Sequence, residues 1–420
     1  MAELLRLLLR VSEKAANVAR VCRQEAPLFE LLVQEKTGED KNKKFVQDFK
    51  TLADVVIQEM IKHDVGAQFP ELKDFIHGEE SNKFENGLDT RYFPVLFYPH
   101  LHHASTPISD TSTRASSNRS PDNIWVSAYT ASRGESITVT VRETEEETAA
   151  LLSTVLDGDR TAAALLATAI HQDLQLVDQA AGSLELPLRP HELGIWIDPI
   201  DATSQYIEGR EEKVPEGELC TSGLQCALVL IGIYHRATGE PIMGVINQPF
   251  AHRESSDQRW RGQHFWGVSC GTISASSLPR PPGHTGRDRE PLLVLSASEK
   301  QAVKDALSGS RLTYASGAGY KILCVALGLA DAYVVSEGST FKWDSCAPHA
   351  LLRALGGGVV DLAACLGTCP EDGGHPLELT YHQPRPGCQG AERWANHGGM
   401  VAYLEPRRLM GVIGALQGKI

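Results

Sequence analysis

Four groups of acidic residues have the types and spacing for cation-dependent chemistry. They are Asp54, the pair Glu79–Glu80, the string Asp198-Pro199-Ile200-Asp201-Ala202-Thr203, and Asp344 in Trp343-Asp344-Ser345-Cys346-Ala347. Taken singly, Asp344 reads as a helix N-cap and Glu79–Glu80 as a solvated loop pair. The D-P-I-D-x-T string asks for more. Proline fixes the backbone between two carboxylates, so both can face one cation with the Ile200 carbonyl turned the same way. The turn beyond offers the backbone amides of Ala202 and Thr203 to an anion. Oxygen donors of this kind suit a hard cation such as Mg²⁺, which also takes waters and substrate phosphate oxygens. Four or five acids in one cleft would repel strongly without metal, so the set implies more than one bound Mg²⁺. Two such ions a few ångströms apart serve in-line displacement at a phosphate ester.

The elements that must position these acids are read from periodicity. Residues 1–35 and 44–63 are expected as helices, with Asp54 in the second. Phe75–Ser81 reads as a strand end breaking into a polar loop. Residues 143–155 and 160–173 are helical by spacing and by their alanine and leucine content. Leu193–Ile197 is a short buried strand running into the acidic string, and 224–234 and 242–246 carry strand character. The Pro/Gly/Arg stretch 278–290 reads as a linker between an N-terminal part, 1–277, and a C-terminal part, 291–420. Beyond it strands and helices alternate over 292–295, 299–307, 320–329, 332–335 and 344–355, which argues for α/β layers.

Composition narrows the class. The 420 residues carry 53 acids against 40 bases, a net charge of −13, which argues against a nucleic-acid coat. No apolar run is long enough for a membrane span. Nine scattered cysteines suggest reduced thiols and a cytoplasmic protein. Cys220/Cys226 and Cys365/Cys369 are the close pairs, too few for a zinc site. One segment fits no period: 89–133 joins an aromatic and histidine-rich piece to a Ser/Thr-rich tract and reads as a long disordered insertion. His100, His102 and His103 within it are a solvated cluster rather than ligands. From residues alone Lys300 and Lys321 read as surface helix positions, and Gly317-Ala318-Gly319 as a weak phosphate-loop signal.

The ordered series Asp54, Glu79-Glu80, Asp198-Pro199-Ile200-Asp201-x-Thr203 and Trp343-Asp344-x-x-Ala347 resembles the lithium-sensitive, Mg²⁺-dependent phosphomonoesterases. That superfamily includes inositol monophosphatases, bisphosphate nucleotidases and fructose bisphosphatases. Longer stretches, among them NKKFVQDFKTLADVVIQE, MGVINQPF, GAGYKILCVALGL and TFKWDSCAPHALLRALGGGVVDL, are similar to its inositol polyphosphate 1-phosphatase branch. The resemblance spans nearly the whole chain apart from 89–133. Ala202 stands where the family has glycine or serine, a departure that keeps the backbone amide and loses any hydroxyl contact.

The resemblance implies an α/β fold, an αβαβα five-layer sandwich, and two or three Mg²⁺ ions per site. It implies that Glu79, Asp198 and the Ile200 carbonyl hold one ion and that Asp198, Asp201 and Asp344 hold another. A weaker third ion would lie near Glu79 and Glu80. Asp54, Thr203 and Glu79 would orient and activate a water, and the amides after Asp201 would hold the phosphate. Ser298, Lys300, Gly317, Ala318, Lys321 and Ser339, together with Asp201, Ala202 and Thr203, match the substrate pocket. The expected activity is hydrolysis of the 1-phosphate of inositol 1,4-bisphosphate and inositol 1,3,4-trisphosphate, inhibited by Li⁺, by a monomer with no nucleic-acid partner. Its rivals are a bisphosphate nucleotidase and a catalytically silent inositol-phosphate-binding protein.

Overall fold

The computed structural model describes residues 2–24, 33–44, 47–85, 136–176, 178–215, 217–279, 290–367 and 377–420. The insertion 89–133, its three histidines, Cys369 and nearly all of the 278–290 linker lie outside them. Two large sheets carry the fold. The first runs in the order β10-β9-β8-β7-β6-β3, where β3 is Ile76–Gly78, β6 Leu193–Asp201, β7 Leu228–His235, β8 Pro241–Arg253, β9 Trp260–Cys270 and β10 Ile273–Ser276. It is antiparallel except for β3 beside β6. The second runs β12-β11-β13-β15-β14, from β11 Leu292–Leu295, β12 Arg311–Tyr314, β13 Ala332–Val335, β14 Gly358–Asp361 and β15 Met400–Tyr403. Two small ladders flank them: β1 (Val33–Glu35) with β2 (Phe49–Thr51), and β4 (Lys83–Glu85) with β5 (Ser136–Thr138).

Period-2 alternation sorts the strands' side chains into three apolar cores. On β7, Val229, Ile231 and Ile233 face one core and Leu228, Leu230 and Tyr234 the next. On β13, Tyr333 and Val335 face that middle core, and Ala332 and Val334 the third. The helices Ala2–Gln24, Leu52–Gln68 and Arg160–His171 close the first core. Ala318–Ala326 and Lys342–Ala354 fill the space between the sheets, and Pro406–Leu416 covers the far face. Five layers result, α-β-α-β-α, as expected.

The helix Ala2–Gln24 buries Leu4, Leu5, Leu8, Val11, Ala15, Val18, Ala19 and Cys22, a stripe at helical spacing. Burying each leucine contributes roughly 1.5–3 kcal/mol. Its Lys14 reaches across to Asp64 Oδ2 at 2.6 Å, tying it to Leu52–Gln68.

Several boundaries differ from the sequence reading. The first helix ends at Gln24, and 33–35 is strand. The second starts at Leu52 rather than 44, because Phe49–Thr51 pairs with β1 and Thr51 then caps the helix. Strand β6 continues through Asp198-Pro199-Ile200-Asp201, four residues past the expected end at Ile197. β9, β10, β12, β14 and β15 had no sequence counterpart. The eight cysteines among the described residues are free thiols. No described helix is long and apolar enough to cross a membrane.

Candidate functional site

The acids converge where β6 ends. Asp198 pairs with Leu230 on β7, and Asp201 with Leu228, so three steps on one strand match two on the other. In a regular strand residues three apart point to opposite faces. This one-residue bulge cancels the reversal and turns both carboxylates to the middle layer. Two helices present their first turns to the same point. Asp344 lies in the first turn of Lys342–Ala354 and accepts from the Phe341 amide at 2.5 Å. The amides of Ala318 and Tyr320, opening the other helix, donate to Asp201 Oδ1 and Oδ2 at 3.2 and 3.1 Å. Glycines permit that approach: a Cβ on Gly317, whose φ is +76°, would stand 2.9 Å from Asp201 Oδ2, and one on Gly319 3.0 Å. The Gly-Ala-Gly loop thus holds a carboxylate.

Oxygens of Asp198, Asp201 and Asp344 lie within 4.8 Å of one another, and all three residues are buried or nearly so. Burial first, then the neighbouring carboxylates, pushes Asp198 and Asp344 well above the usual carboxylate range. Burial also lifts Asp201, offset by Lys321 and the two amides, to about 6. Asp198 Oδ1 is buried without a hydrogen-bond partner among the described residues. A cluster that is desolvated, mutually repelling and incompletely satisfied is what a divalent cation would relieve. The donor set fits a hard metal.

Glu79 and Glu80 follow β3. Glu79 donates its amide to the Ile197 carbonyl at 3.1 Å, which sets it beside the end of β6. A residue missed in the sequence stands between the pair: Lys36, buried, with Nζ 2.5 Å from Glu79 Oε1 and 2.6 Å from Glu80 Oε1. Burial alone would lower its ammonium, yet the two glutamates hold it well above the usual range. Glu80 is raised by burial to about 8 despite that contact. The pair is therefore an ion cluster, with Glu80 buried and Glu79 partly buried at the cleft, not the solvated loop that its residues alone suggested.

Asp54 occupies the third helical position of Leu52–Gln68. Its Oδ2 accepts from Thr51 N and Oγ1 at 2.7 and 2.6 Å, while Oδ1 is buried without a partner among the described residues. Burial, opposed by the Thr51 hydroxyl, raises it to about 7. Ala202 adopts a left-handed conformation, φ +65° and ψ +46°, ahead of the helix Thr203–Glu208. The Thr203 hydroxyl donates to the Ile200 carbonyl at 3.0 Å.

A cleft of 1230 Å³ opens over these groups. Glu79, Asp198, Ile200, Asp201, Ala202, Thr203 and Asp344 line it, as do Ser298, Gly317, Ala318, Lys321 and Ser339. Asp54 and Glu80 are buried alongside. Lys321 is no surface lysine: it is 3 % exposed, donates to the Ala315 carbonyl at 3.0 Å and has its Nζ 5.2 Å from the Tyr333 ring centroid. Lys300, by contrast, is more than half exposed and pairs with Glu337 at 2.6 Å.

A sequence profile of the inositol monophosphatase family matches residues 127–408. The chain belongs to the inositol monophosphatase family. It is 45 % identical over 428 residues to the inositol polyphosphate 1-phosphatase of Bos taurus, covering 97 % of this chain and 96 % of that one. A 3'(2'),5'-bisphosphate nucleotidase of Dictyostelium discoideum is 36 % identical over 188 residues, 42 % of this chain and 54 % of its own. Among solved structures, the extragenic suppressor protein suhB of Bartonella henselae aligns over both whole chains at 12 % identity with a TM-score of 0.48. This member of the family is an enzyme, a phosphatase, and its buried carboxylates suit the divalent metals that the family uses.

Proposed function

We propose that this phosphatase is an Mg²⁺-dependent inositol polyphosphate 1-phosphatase. It removes the 1-phosphate of inositol 1,4-bisphosphate and inositol 1,3,4-trisphosphate by attack of water, in the cytoplasm, as a monomer, and is inhibited by Li⁺. The observation that carries the substrate class is the 45 % identity to the Bos taurus enzyme across 97 % of the chain. The bisphosphate nucleotidase match stops at 42 % of the chain.

Glu79, Asp198 and the Ile200 carbonyl would hold one Mg²⁺, and Asp198, Asp201 and Asp344 a second. The Ile200 oxygen keeps a lone pair for this while accepting from Thr203. A third, weaker ion near Glu79 and Glu80 would have to contend with the Lys36 ammonium already between them. Bound Mg²⁺ supplies Lewis acidity toward water and the departing inositol oxygen. Asp54, raised to about 7 and with no partner for Oδ1 among the described residues, is poised to take a proton from the attacking water near neutral pH. Thr203 and Glu79 help to orient that water. Amides at the turn after Asp201 hold phosphate oxygens, and Ser298, Lys300, Lys321 and Ser339 face the inositol ring and its second phosphate. In the balanced reaction the water oxygen bonds to phosphorus, the phosphorus–oxygen bond to the ring breaks, and the ring oxygen takes up a proton.

Phosphate release from inositol 1,4-bisphosphate, beside adenosine 3',5'-bisphosphate, tests the reading. Turnover of the first with Mg²⁺, uncompetitive inhibition by millimolar Li⁺ and little turnover of the nucleotide are expected. Preference for the nucleotide would make it a nucleotidase, and binding without turnover would make it silent.

A further inference from the structure

The mouth of the cleft carries a charge arrangement that the metal-centred reaction does not use. Glu337, just after β13, receives two lysines from different parts of the chain. Lys300 Nζ lies 2.6 Å from its Oε1, and Lys44 Nζ 3.3 Å from its Oε2. Lys44 comes from the loop between β1 and β2, and both Lys44 and Glu337 line the cleft together with the metal acids. A second contact joins the same two loops independently: the Asn42 side-chain amide donates to the Ser339 carbonyl at 3.3 Å. The loops therefore stay in register without the ion pair.

We infer that Glu337 stands in for the substrate's remote phosphate, and that Lys44 and Lys300 form the clamp that takes this phosphate when Glu337 swings out. Two ammonium groups converging on the two oxygens of one carboxylate have the spacing to grip two oxygens of a phosphate. The charge favours exchange: two lysines and one glutamate leave one positive charge over, whereas two lysines and a phosphate dianion balance. All three side chains are substantially exposed, so little burial opposes release of Glu337 into solvent. Glu337 then sets a threshold. A ligand with one phosphate has nothing to displace it, and a bisphosphate does. This assigns Lys44 and Glu337 to substrate selection and rests on the inositol bisphosphate reading.

The test compares kcat/KM for inositol 1,4-bisphosphate with that for p-nitrophenyl phosphate in wild type, Glu337→Gln, Lys44→Met and Lys44→Arg. The ratio of the two should rise about five-fold in Glu337→Gln, fall about ten-fold in Lys44→Met and return most of the way in Lys44→Arg. Each change should reside in KM for the bisphosphate. If wild type turns the bisphosphate over and the ratio moves in neither Glu337→Gln nor Lys44→Met, the clamp is wrong while the substrate reading stands. No wild-type turnover of the bisphosphate overturns both.

Discussion

The side-chain amide of Gln58 closes two hydrogen bonds on the backbone of Glu80, donating to its carbonyl at 2.6 Å and accepting from its amide at 2.9 Å. Gln58 lies one helical turn beyond Asp54 and is wholly buried. Through it the helix bearing Asp54 is fastened to the loop bearing Glu79 and Glu80. Gly78 makes room, since a Cβ there would stand 1.9 Å from Gln58 Oε1.

Gln58→Leu leaves a buried amide and a buried carbonyl unpaired. It should cost roughly 2–6 kcal/mol, at about 1–3 kcal/mol for each group, and raise the Mg²⁺ concentration for half-maximal rate. Urea unfolding and a metal titration check this. An unchanged unfolding midpoint would mean that the loop finds other partners.

Asp54→Asn should lower kcat by on the order of 10²-fold with KM little changed, because proton acceptance acts in the transition state. The asparagine still accepts from Thr51 and so keeps the cap. Steady-state kinetics at saturating Mg²⁺ decide; a loss residing in KM would return Asp54 to a purely structural cap.

The metal-free protein should be more stable at pH 6 than at pH 8. Asp201, Asp54 and Glu80 sit at about 6, 7 and 8 in the fold, against ordinary values of 3.8, 3.8 and 4.5. Groups raised by folding stabilise below their unfolded pKa and lose that contribution as pH climbs through the folded one. Added Mg²⁺ should therefore raise the Tm more at pH 8. Thermal melts in chelator and in Mg²⁺ test the sign, and a chelated protein melting higher at pH 8 would contradict it.

Lys321→Met removes the charge that holds Asp201 down. Asp201 should then stay protonated to higher pH, so protons compete better with metal. We expect a raised Mg²⁺ requirement at pH 6.5 that shrinks by pH 8. A defect independent of both pH and Mg²⁺ would assign Lys321 to substrate contact alone.

Residues 86–135 leave and rejoin the chain at one place, because Glu85 is paired with Ser136 across the β4–β5 ladder. Replacing them with Asn-Gly, a two-residue hairpin turn, should preserve fold and Mg²⁺-dependent rate. Failure to fold would show that the aromatic stretch Tyr92–Tyr98 contributes to the core.

The acids were legible because chemistry restricts them: Asp198, Asp201 and Asp344 meet as their types and order suggested. Lys36 was not, for a lysine in QEKTGEDKNKK looks like any solvated one, and its partner Glu79 lies 43 residues away. Thr51 and Asp54 carry a capping signal three residues apart, and weighing it would have moved the helix start from 44 to Leu52. β9 escaped because its first half, Trp260 to His264, alternates half-buried with exposed residues and includes Arg261, Gln263 and His264, so it carries no apolar run. Lys321 was misread from its type alone, since helical spacing does not say which face a second sheet covers.

The bulge in β6 makes this site sensitive to counting. Asp198 and Asp201 share a face only because one surplus residue lies between them against β7. Removing Pro199 or Ile200 would restore an even ladder and leave both aspartates on one face, two residues apart, yet it would take away the surplus peptide that the bulge holds out of the ladder beside them. The catalytic information at this point is thus the length of a segment as much as its letters. Substitutions can be tried one by one there, but a single-codon deletion would remove that peptide while every acid stayed in the chain.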